Sequence, residues 1–169
     1  MQPKLEQTER GRMFDNDPTE LRKRLGLTEH VDLPGRVPDE FVRRAMSTAA
    51  LGLSPDPKNP LNDVSTMNKT MEYMAFGLPV VAFDLRETRI SARDAAVYVQ
   101  PNNVAEYAKA VVALLDDPLR RARLGAFGRE RAERVLAWRH QARAYLDLYE
   151  DLTGGWTGPA GSHPALAGA

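Results

Sequence analysis

The chain has 169 residues, 43% of them hydrophobic and 27% charged, a composition that suits a single soluble globular domain with a hydrophobic core. Lysine plus arginine and aspartate plus glutamate both number 23, so the formal net charge is zero and gives no reason to expect nucleic acid as a partner. Cysteine is absent, which excludes disulfides and thiol chemistry, and no apolar run approaches the roughly 18–20 residues of a membrane span. The sequence therefore predicts a cytoplasmic protein.

Residues 1–17 are polar and unpatterned, and we expect them to be irregular. A proline near its start and a glycine at its end predict a short helix in DPTELRKRLGL. The next segment, HVDLPG, is predicted to be a short strand that runs into a turn. A second helix is predicted from Pro38, in PDEFVRRAMSTA.

Three apolar runs without polar alternation predict strands that are covered on both faces. They are AALGLS at 49–54, PVVAF at 79–83 and AAVYVQ at 95–100. Such strands are typical of parallel sheets between layers of helices. Because helices separate several of these runs, the order is β-α-β with right-handed crossovers. We therefore predict an α/β fold, a Rossmann-like parallel sheet with flanking helices.

The rest of the chain is predicted to be helical up to its tail. NNVAEYAKAVVALLDD has the apolar period of a helix, with Asn102 or Asn103 as its N-cap. An arginine-rich helical stretch follows, in which we expect Gly125 and Gly128 to interrupt the helix. Its arginines fit a solvated face better than an anionic membrane, although peripheral membrane contact stays open. A last helix is predicted over 137–152, before a Gly/Pro/Ala-rich disordered tail at 153–169.

The segment after the first predicted strand carries polar residues in an order that fits a ligand. In doubly wound sheets, ligands bind beyond the carboxyl ends of strands, where loops meet helix amino ends. A helix beginning near Ser65–Asn68 would offer a phosphate its unpaired N–H groups and positive dipole end. Lys69 adds a cation, and Glu72 can accept hydrogen bonds from paired hydroxyls such as those of a ribose. A nucleoside diphosphate would suit this order, and an ordinary exposed Lys69–Glu72 ion pair is the alternative.

The stretch STMNKTMEYMAFGLPVVAFDLRET resembles the donor-binding segment of family 4 retaining glycosyltransferases, which have the two-domain GT-B fold. Neighbouring segments such as LGLTEHVDLPGRV and AAVYVQPNNVAEYAKAVVALLDDP also resemble this family, so the resemblance covers residues 18–152. It implies that these residues form an incomplete donor-nucleotide-binding domain, part of the C-terminal domain of a GT-B enzyme. Such an enzyme transfers a sugar from a nucleotide-diphosphate donor substrate to a glycan or lipid-type acceptor. We expect neither a cofactor nor a bound metal.

The resemblance assigns roles to individual residues. Those implied to bind the donor nucleotide are Ser65, Thr66, Met67, Asn68, Lys69 and Glu72. Within this set the first three would contact the diphosphate through backbone amides, and Glu72 would bind the ribose. Many members carry a further glutamate eight residues earlier, beside the transferred sugar, where this chain has Val64. Asp63 is a weaker candidate for that role, Glu87 is a weaker candidate for the site, and no catalytic residue is assigned.

The resemblance also implies that the acceptor domain and the first part of the donor domain are missing. Because transfer needs acceptor and donor held together, we expect the chain to be inactive alone unless another polypeptide supplies that half. The alternative is a non-catalytic interaction module, or half of a split enzyme, that docks a separate acceptor-domain protein through its last helix. That helix carries an apolar stripe, interpreted either as core packing or as an exposed docking face: Trp138, Tyr145, Leu148, Tyr149 and Leu152.

Overall fold

The computed structural model describes residues 17–154, and its contacts divide the chain into two units, residues 1–43 and 44–169. In the first unit, helix α1 spans Pro18–Arg24. It begins at Asp17, whose side chain accepts a hydrogen bond of 2.8 Å from the Thr19 N–H, and it ends before Gly26, at a φ of +66°. The predicted proline start and glycine stop are both present. The predicted irregular segment, apart from Asp17, and the predicted tail beyond Gly154 lie outside the described residues.

The segment HVDLPG contains no strand, so that prediction is wrong. Its apolar side chains Val31 and Leu33 are 38% and 42% exposed, and the Val31 carbonyl accepts a hydrogen bond of 2.8 Å from Arg22 Nη1. A strand needs a neighbouring strand to satisfy its backbone groups. Here a side chain of α1 takes that place. Helix α2, Asp39–Thr48, follows this segment and contains the boundary between the two units.

The second unit is built on a parallel sheet of three strands in the order β1-β2-β3. The strands are β1 at Gly52–Ser54, β2 at Val80–Phe83 and β3 at Ala96–Val99. Gly52 lies opposite Val80, which in turn lies opposite Ala96. All four residues of the central strand are buried. The three predicted strands are therefore confirmed, each beginning later than predicted, and β3 also ends one residue earlier.

Helices cover both faces of this sheet. The remaining elements are a 3-10 turn at Asn62–Val64, α3 at Asn68–Ala75, α4 at Arg86–Ala92, a 3-10 turn at Arg93–Ala95, α5 at Val104–Leu115, α6 at Pro118–Arg131, a π-helical turn at Ala132–Leu136 and α7 at Trp138–Thr153. Successive side chains of β2 point to opposite faces. Val80 and Ala82 therefore enter one hydrophobic cluster with Met74 of α3, whereas Val81 and Phe83 enter a second one.

The N-cap of α5 is Asn103, one of the two residues predicted for it. Its side chain accepts a hydrogen bond of 3.1 Å from the Glu106 N–H. Asn102 has a φ of +64°, and its side-chain oxygen accepts a hydrogen bond of 2.8 Å from the Lys58 N–H. The two asparagines thus have different roles. Asn102 connects the loop after β1 to the loop after β3, whereas Asn103 begins the helix.

Gly125 and Gly128 do not interrupt the arginine-rich helix, so that prediction is wrong. Both lie buried inside the continuous α6. A Cβ atom on Gly125 would overlap the carbonyl oxygen of Gly77, which lies in the turn after α3. A Cβ atom on Gly128 would lie 3.2 Å from Met74 Cγ. The close approach of α6 to α3 and its turn requires these glycines, and it outweighs their poor helix propensity.

Helix α7 has the predicted position, but its apolar stripe is not core. The stripe residues Trp138, Leu148 and Leu152 are 64%, 54% and 74% exposed. Its aromatic rings contact one another, with ring centroids 5.6 Å apart between Trp138 and Tyr145. Of the two interpretations, core packing is wrong. Within residues 17–154, no helix combines the length and apolar character needed to cross a bilayer, and the cytoplasmic location stays a prediction.

Candidate functional site

The loops after β1 and β2 lie at the same edge of the sheet, because parallel strands end on the same side. The loop after β1 spans residues 55–67 and leads into α3, whereas the short connection after β2 leads into α4. The amino ends of both helices are therefore reached from the carboxyl edge of the sheet. This arrangement brings most of the residues singled out in the sequence to one region.

The amino end of α3 is open. Its N-cap is Met67, which provides no side-chain hydrogen bond, and no acidic residue lies in the first turn. Within residues 17–154, no hydrogen bond occupies the backbone N–H groups of residues 66–69. The N–H of Ser65, by contrast, donates to the Asn62 carbonyl at 3.3 Å. Unpaired N–H groups and the positive end of the helix dipole give this end the properties of an anion site.

Lys69 pairs with Asp56 instead of Glu72. The Lys69 Nζ lies 2.6 Å from Asp56 Oδ1. The other carboxylate oxygen, Asp56 Oδ2, accepts a hydrogen bond of 2.7 Å from the Ser54 hydroxyl. The Thr70 hydroxyl donates in turn to Ser54 Oγ at 3.2 Å. The ordinary i,i+3 ion pair is therefore not formed, and the lysine is tied to the end of β1.

Sequence reasoning missed Asp56 and Ser54. Ser54 is the last residue of β1, and Asp56 follows it by two positions. The available signal was their place at the carboxyl end of a predicted strand, which is where parallel sheets hold ligands. Their hydrogen bonds to Lys69 and Thr70 depend on the contact between β1 and α3, which residue spacing does not show.

The hydrogen bonds of Asp56 set the pKa of its carboxyl group. Partial burial raises this pKa, but hydrogen bonds from Lys69 and Ser54 outweigh burial and hold the pKa below its ordinary value of 3.8. Desolvation similarly raises the pKa of Tyr73, helped by the negative charges of Glu72 and Asp56. The Asp56 carboxylate is therefore ionised at neutral pH and balances the Lys69 ammonium.

The lowered pKa of Asp56 predicts a pH-dependent contribution to stability. Because the folded-state pKa lies below 3.8, the contribution is complete above that pH and is lost as the pH falls through the folded-state pKa. Urea unfolding of wild type and Asp56→Asn should therefore show a free-energy difference that is constant near neutrality and shrinks in acid. The free energy of unfolding of Lys69→Met should fall less in acid than that of wild type, because the hydrogen bond from Lys69 is the largest effect that lowers the Asp56 pKa. A difference that is independent of pH would contradict this assignment.

Glu72 lines an open cleft of about 440 Å³ beside α3. Asn68 lies in the same wall, one turn earlier on the helix. Apolar atoms of Met71 form part of the lining, and the π-helical turn and α7 supply Glu133 and Arg139 on the far side. The cleft thus offers two carboxylates, an amide and a guanidinium above an apolar surface. Sequence reasoning missed Glu133 and Arg139, since they reach the cleft from the far end of the chain.

The two weaker candidates differ in their surroundings. Asp63 Oδ1 accepts a hydrogen bond of 3.0 Å from the Arg86 N–H, at the amino end of α4, and lies 3.4 Å from Lys58 Nζ. The bond from Arg86 is the largest influence that lowers the pKa of the Asp63 carboxyl. Asp63 is thus engaged in holding its loop. Glu87 lies in the first turn of α4, and its side chain has no hydrogen bond or ion pair within residues 17–154.

Position 64 supplies no carboxylate, and Val64 is 59% exposed there. The described part of the chain also contains no group of three histidine, aspartate or glutamate side chains that could hold a metal ion. The polar groups near the open end of α3 include backbone N–H groups, the Asn68 amide, one lysine and two separate carboxylates, those of Asp56 and Glu72. The N–H groups and Lys69 are suited to binding an anion, and the carboxylates are suited to accepting hydrogen bonds.

Comparison with known proteins gives two curated relatives that are both mannosyltransferases. The chain is 34% identical to a phosphatidyl-myo-inositol mannosyltransferase of Mycobacterium leprae over 139 residues, which are 80% of this chain and 36% of the relative. It is 31% identical to an MMP alpha-(1->4)-mannosyltransferase of Mycolicibacterium hassiacum, covering 80% of this chain and 33% of the relative. The chain thus spans about a third of the length of these curated relatives.

The fold agrees with that of a solved sucrose-phosphate synthase from Thermosynechococcus elongatus. The TM-score is 0.67 over 82% of this chain and 34% of the other, at 24% sequence identity. This likeness confirms the predicted α/β fold with a parallel sheet. The profile of the family Glycosyl transferases group 1 matches residues 11–117, which is more than half of the chain. The chain therefore belongs to the group 1 glycosyl transferases.

Proposed function

We propose that this chain forms the nucleotide-sugar-binding part of a retaining glycosyltransferase. The observation that carries the proposal is the position of Glu72 in this group 1 glycosyl transferase. Glu72 lies one turn into a helix whose amino end is open, and it faces a cleft of about 440 Å³. The names of the relatives, which are mannosyltransferases, support transfer of a sugar as the activity to which this binding contributes.

In this proposal the donor diphosphate lies at the amino end of α3. The free N–H groups of Thr66 and Met67 donate to phosphate oxygens, and Lys69 provides the positive charge. The ribose lies in the cleft, where its two hydroxyls donate to the Glu72 carboxylate. The Ser65 N–H has a smaller part than the resemblance implies, because the Asn62 carbonyl already accepts its hydrogen bond. The donor needs no cofactor in this arrangement.

Sugar transfer also requires an acceptor held beside the donor. We propose that this chain alone binds the donor without transferring the sugar. A second candidate, half of a split enzyme, is favoured by the exposed stripe on α7, where Trp138 and Leu152 are 64% and 74% exposed. In that case an acceptor-domain protein docks there. Sugar transfer that requires both an added acceptor domain and an intact stripe would favour the split enzyme.

Nucleotide binding tests the first proposal. Isothermal titration with UDP, GDP and ADP should give a dissociation constant in the millimolar range, about 4 kcal/mol of binding free energy, for at least one of them. Glu72→Ala should weaken that binding by about tenfold or more, because one hydrogen bond to a charged group contributes roughly 1.5–3 kcal/mol and about 1.4 kcal/mol corresponds to tenfold. Glu106→Ala is the matched control, since this exposed carboxylate lies on α5 and pairs with Lys109.

A change of ligand sharpens the same test. If Glu72 accepts hydrogen bonds from the ribose, wild type should bind the 2′-deoxynucleotide more weakly than the ribonucleotide. Glu72→Ala should bind the two nucleotides equally, because the variant lacks the acceptor that distinguishes them. Absence of binding to wild type, or an unchanged preference in the variant, would contradict the proposed function.

A further inference from the structure

We propose that Asp56 is a positioning residue of the donor site, which holds the Lys69 ammonium at the open end of α3 for the donor phosphate. The inference rests on the proposed function and adds a residue for which neither the motif nor the resemblance gives a role. Its basis is the chain of contacts that joins the end of β1 to the first turn of α3. Asp56 contacts Lys69 directly and would act on the phosphate only through it.

The direction of Lys69 follows from its place on the helix. Lys69 is the second residue of α3, and the Cα–Cβ bonds of a helix tilt toward its amino end. Its side chain therefore extends toward the N–H groups that are left open. A lysine ammonium has three N–H donors, and Asp56 Oδ1, 2.6 Å away, takes one of them. The remaining donors are available to phosphate oxygens.

The carboxylate that holds the lysine is itself fixed. Asp56 Oδ2 accepts a hydrogen bond from Ser54, and Ser54 accepts one from Thr70. Ser54 is 2% exposed and Thr70 is fully buried, so neither hydroxyl can turn away to water. Because Thr70 follows Lys69 in α3, the contacts form a closed path from helix to strand and back. This path restrains a flexible side chain before the ligand arrives, which lowers the entropy lost on binding.

The same ion pair also admits an opposite effect, since a carboxylate beside a phosphate repels it. Only one of the two effects can dominate, and they predict opposite results. If positioning dominates, removing the carboxylate weakens nucleotide binding. If repulsion dominates, removing it strengthens binding. The positioning effect is favoured by the geometry, because the Asp56 side chain is 17% exposed and is shielded by Lys69 and Ser54.

A double-mutant cycle on UDP binding separates positioning from a general structural effect. We expect Asp56→Asn to weaken UDP binding by about fivefold and Lys69→Met by about tenfold, whereas the double variant should bind no more weakly than Lys69→Met. Asp56 matters only through Lys69 in this scheme, so its effect disappears once the lysine is gone. Thermal unfolding of each variant shows which proteins are folded at the temperature of the titration.

The variant Ser54→Ala keeps the negative charge of Asp56 and removes the hydrogen bond that holds this carboxylate in place. Ser54→Ala should weaken UDP binding by about twofold in wild type and leave it unchanged in the Lys69→Met background. It provides the same test if Asp56→Asn fails to fold. A loss of equal size in both backgrounds, or tighter binding by Asp56→Asn, would overturn the inference while leaving the role of Glu72 intact. Absence of UDP, GDP and ADP binding to wild type would overturn the proposed function and this inference together.

Discussion

Gly125→Ala is expected to destabilise the protein by about 3 kcal/mol, although alanine is the better helix former. A Cβ atom at this position would overlap Gly77 O and lie 3.1 Å from Gly77 C. Both atoms belong to the backbone of the turn after α3, so a change of rotamer cannot relieve the overlap. The helix and the turn would have to separate, and contacts in the core beneath them would be lost. Urea unfolding of wild type and variant measures the difference directly.

Two variants of the same helix provide controls for this result. Ala126→Gly makes the reverse change at an exposed position of α6 and should cost about 1 kcal/mol from helix propensity alone. Gly128→Ala should have a smaller effect than Gly125→Ala, because its nearest neighbours at 3.2 Å include the flexible Met74 side chain. If Gly125→Ala is as stable as wild type, α6 does not approach the turn as closely as the structure indicates.

These glycines show why the sequence predicted the elements better than their packing. The apolar run that became β2 predicts a buried strand by itself, since its neighbours along the chain carry the signal. The N-cap of α5 is equally local, being made by Asn103 and a residue three positions later. Gly125, in contrast, is required by Gly77, which is 48 residues away. A glycine within a helical pattern looks like an interruption until the partner that needs the space is known.

The candidate site divides in the same way. Lys69 and Glu72 were predicted because they belong to one continuous stretch that opens a helix after a loop. Asp56 was missed because it reaches Lys69 only after β1 and α3 have packed together. Arg139 was missed for a similar reason, since α7 brings it to the cleft from 67 residues beyond Glu72. What the sequence hides is the set of contacts between elements, and these contacts decide which charges the lysine and the glutamate meet.

Helix α3 therefore connects the core to the candidate site. Its residues Thr70 and Met74 are fully buried, whereas Glu72 between them lines the cleft. Lys69, Glu72 and the open N–H groups can hold a ligand only if the buried side of the helix fixes their positions. A change on that buried side should consequently affect both stability and nucleotide binding, even though it contacts no ligand.

Met74→Ala is the substitution that tests this connection. Met74 is 0% exposed, and the other fully buried members of its cluster are small or medium-sized, among them Ala82, Ala92 and Ala95. Alanines cannot extend into the space that the methionine leaves, so we expect a cavity and a loss of about 3 kcal/mol in urea unfolding. Met74→Leu conserves volume and should cost less than about 1.5 kcal/mol.

The neighbouring glycine gives this prediction an internal check. Because Met74 Cγ is one of the atoms nearest to a Cβ atom on Gly128, Gly128→Ala should be tolerated better in the Met74→Ala background than in wild type. The added methyl group would occupy part of the cavity and regain helix propensity at the same time. Folded Met74→Ala should also bind UDP more weakly than Met74→Leu. Equal affinities would mean that the ligand-facing side of α3 keeps its geometry without the core beneath it, and additive effects of the two substitutions on stability would place Met74 away from Gly128.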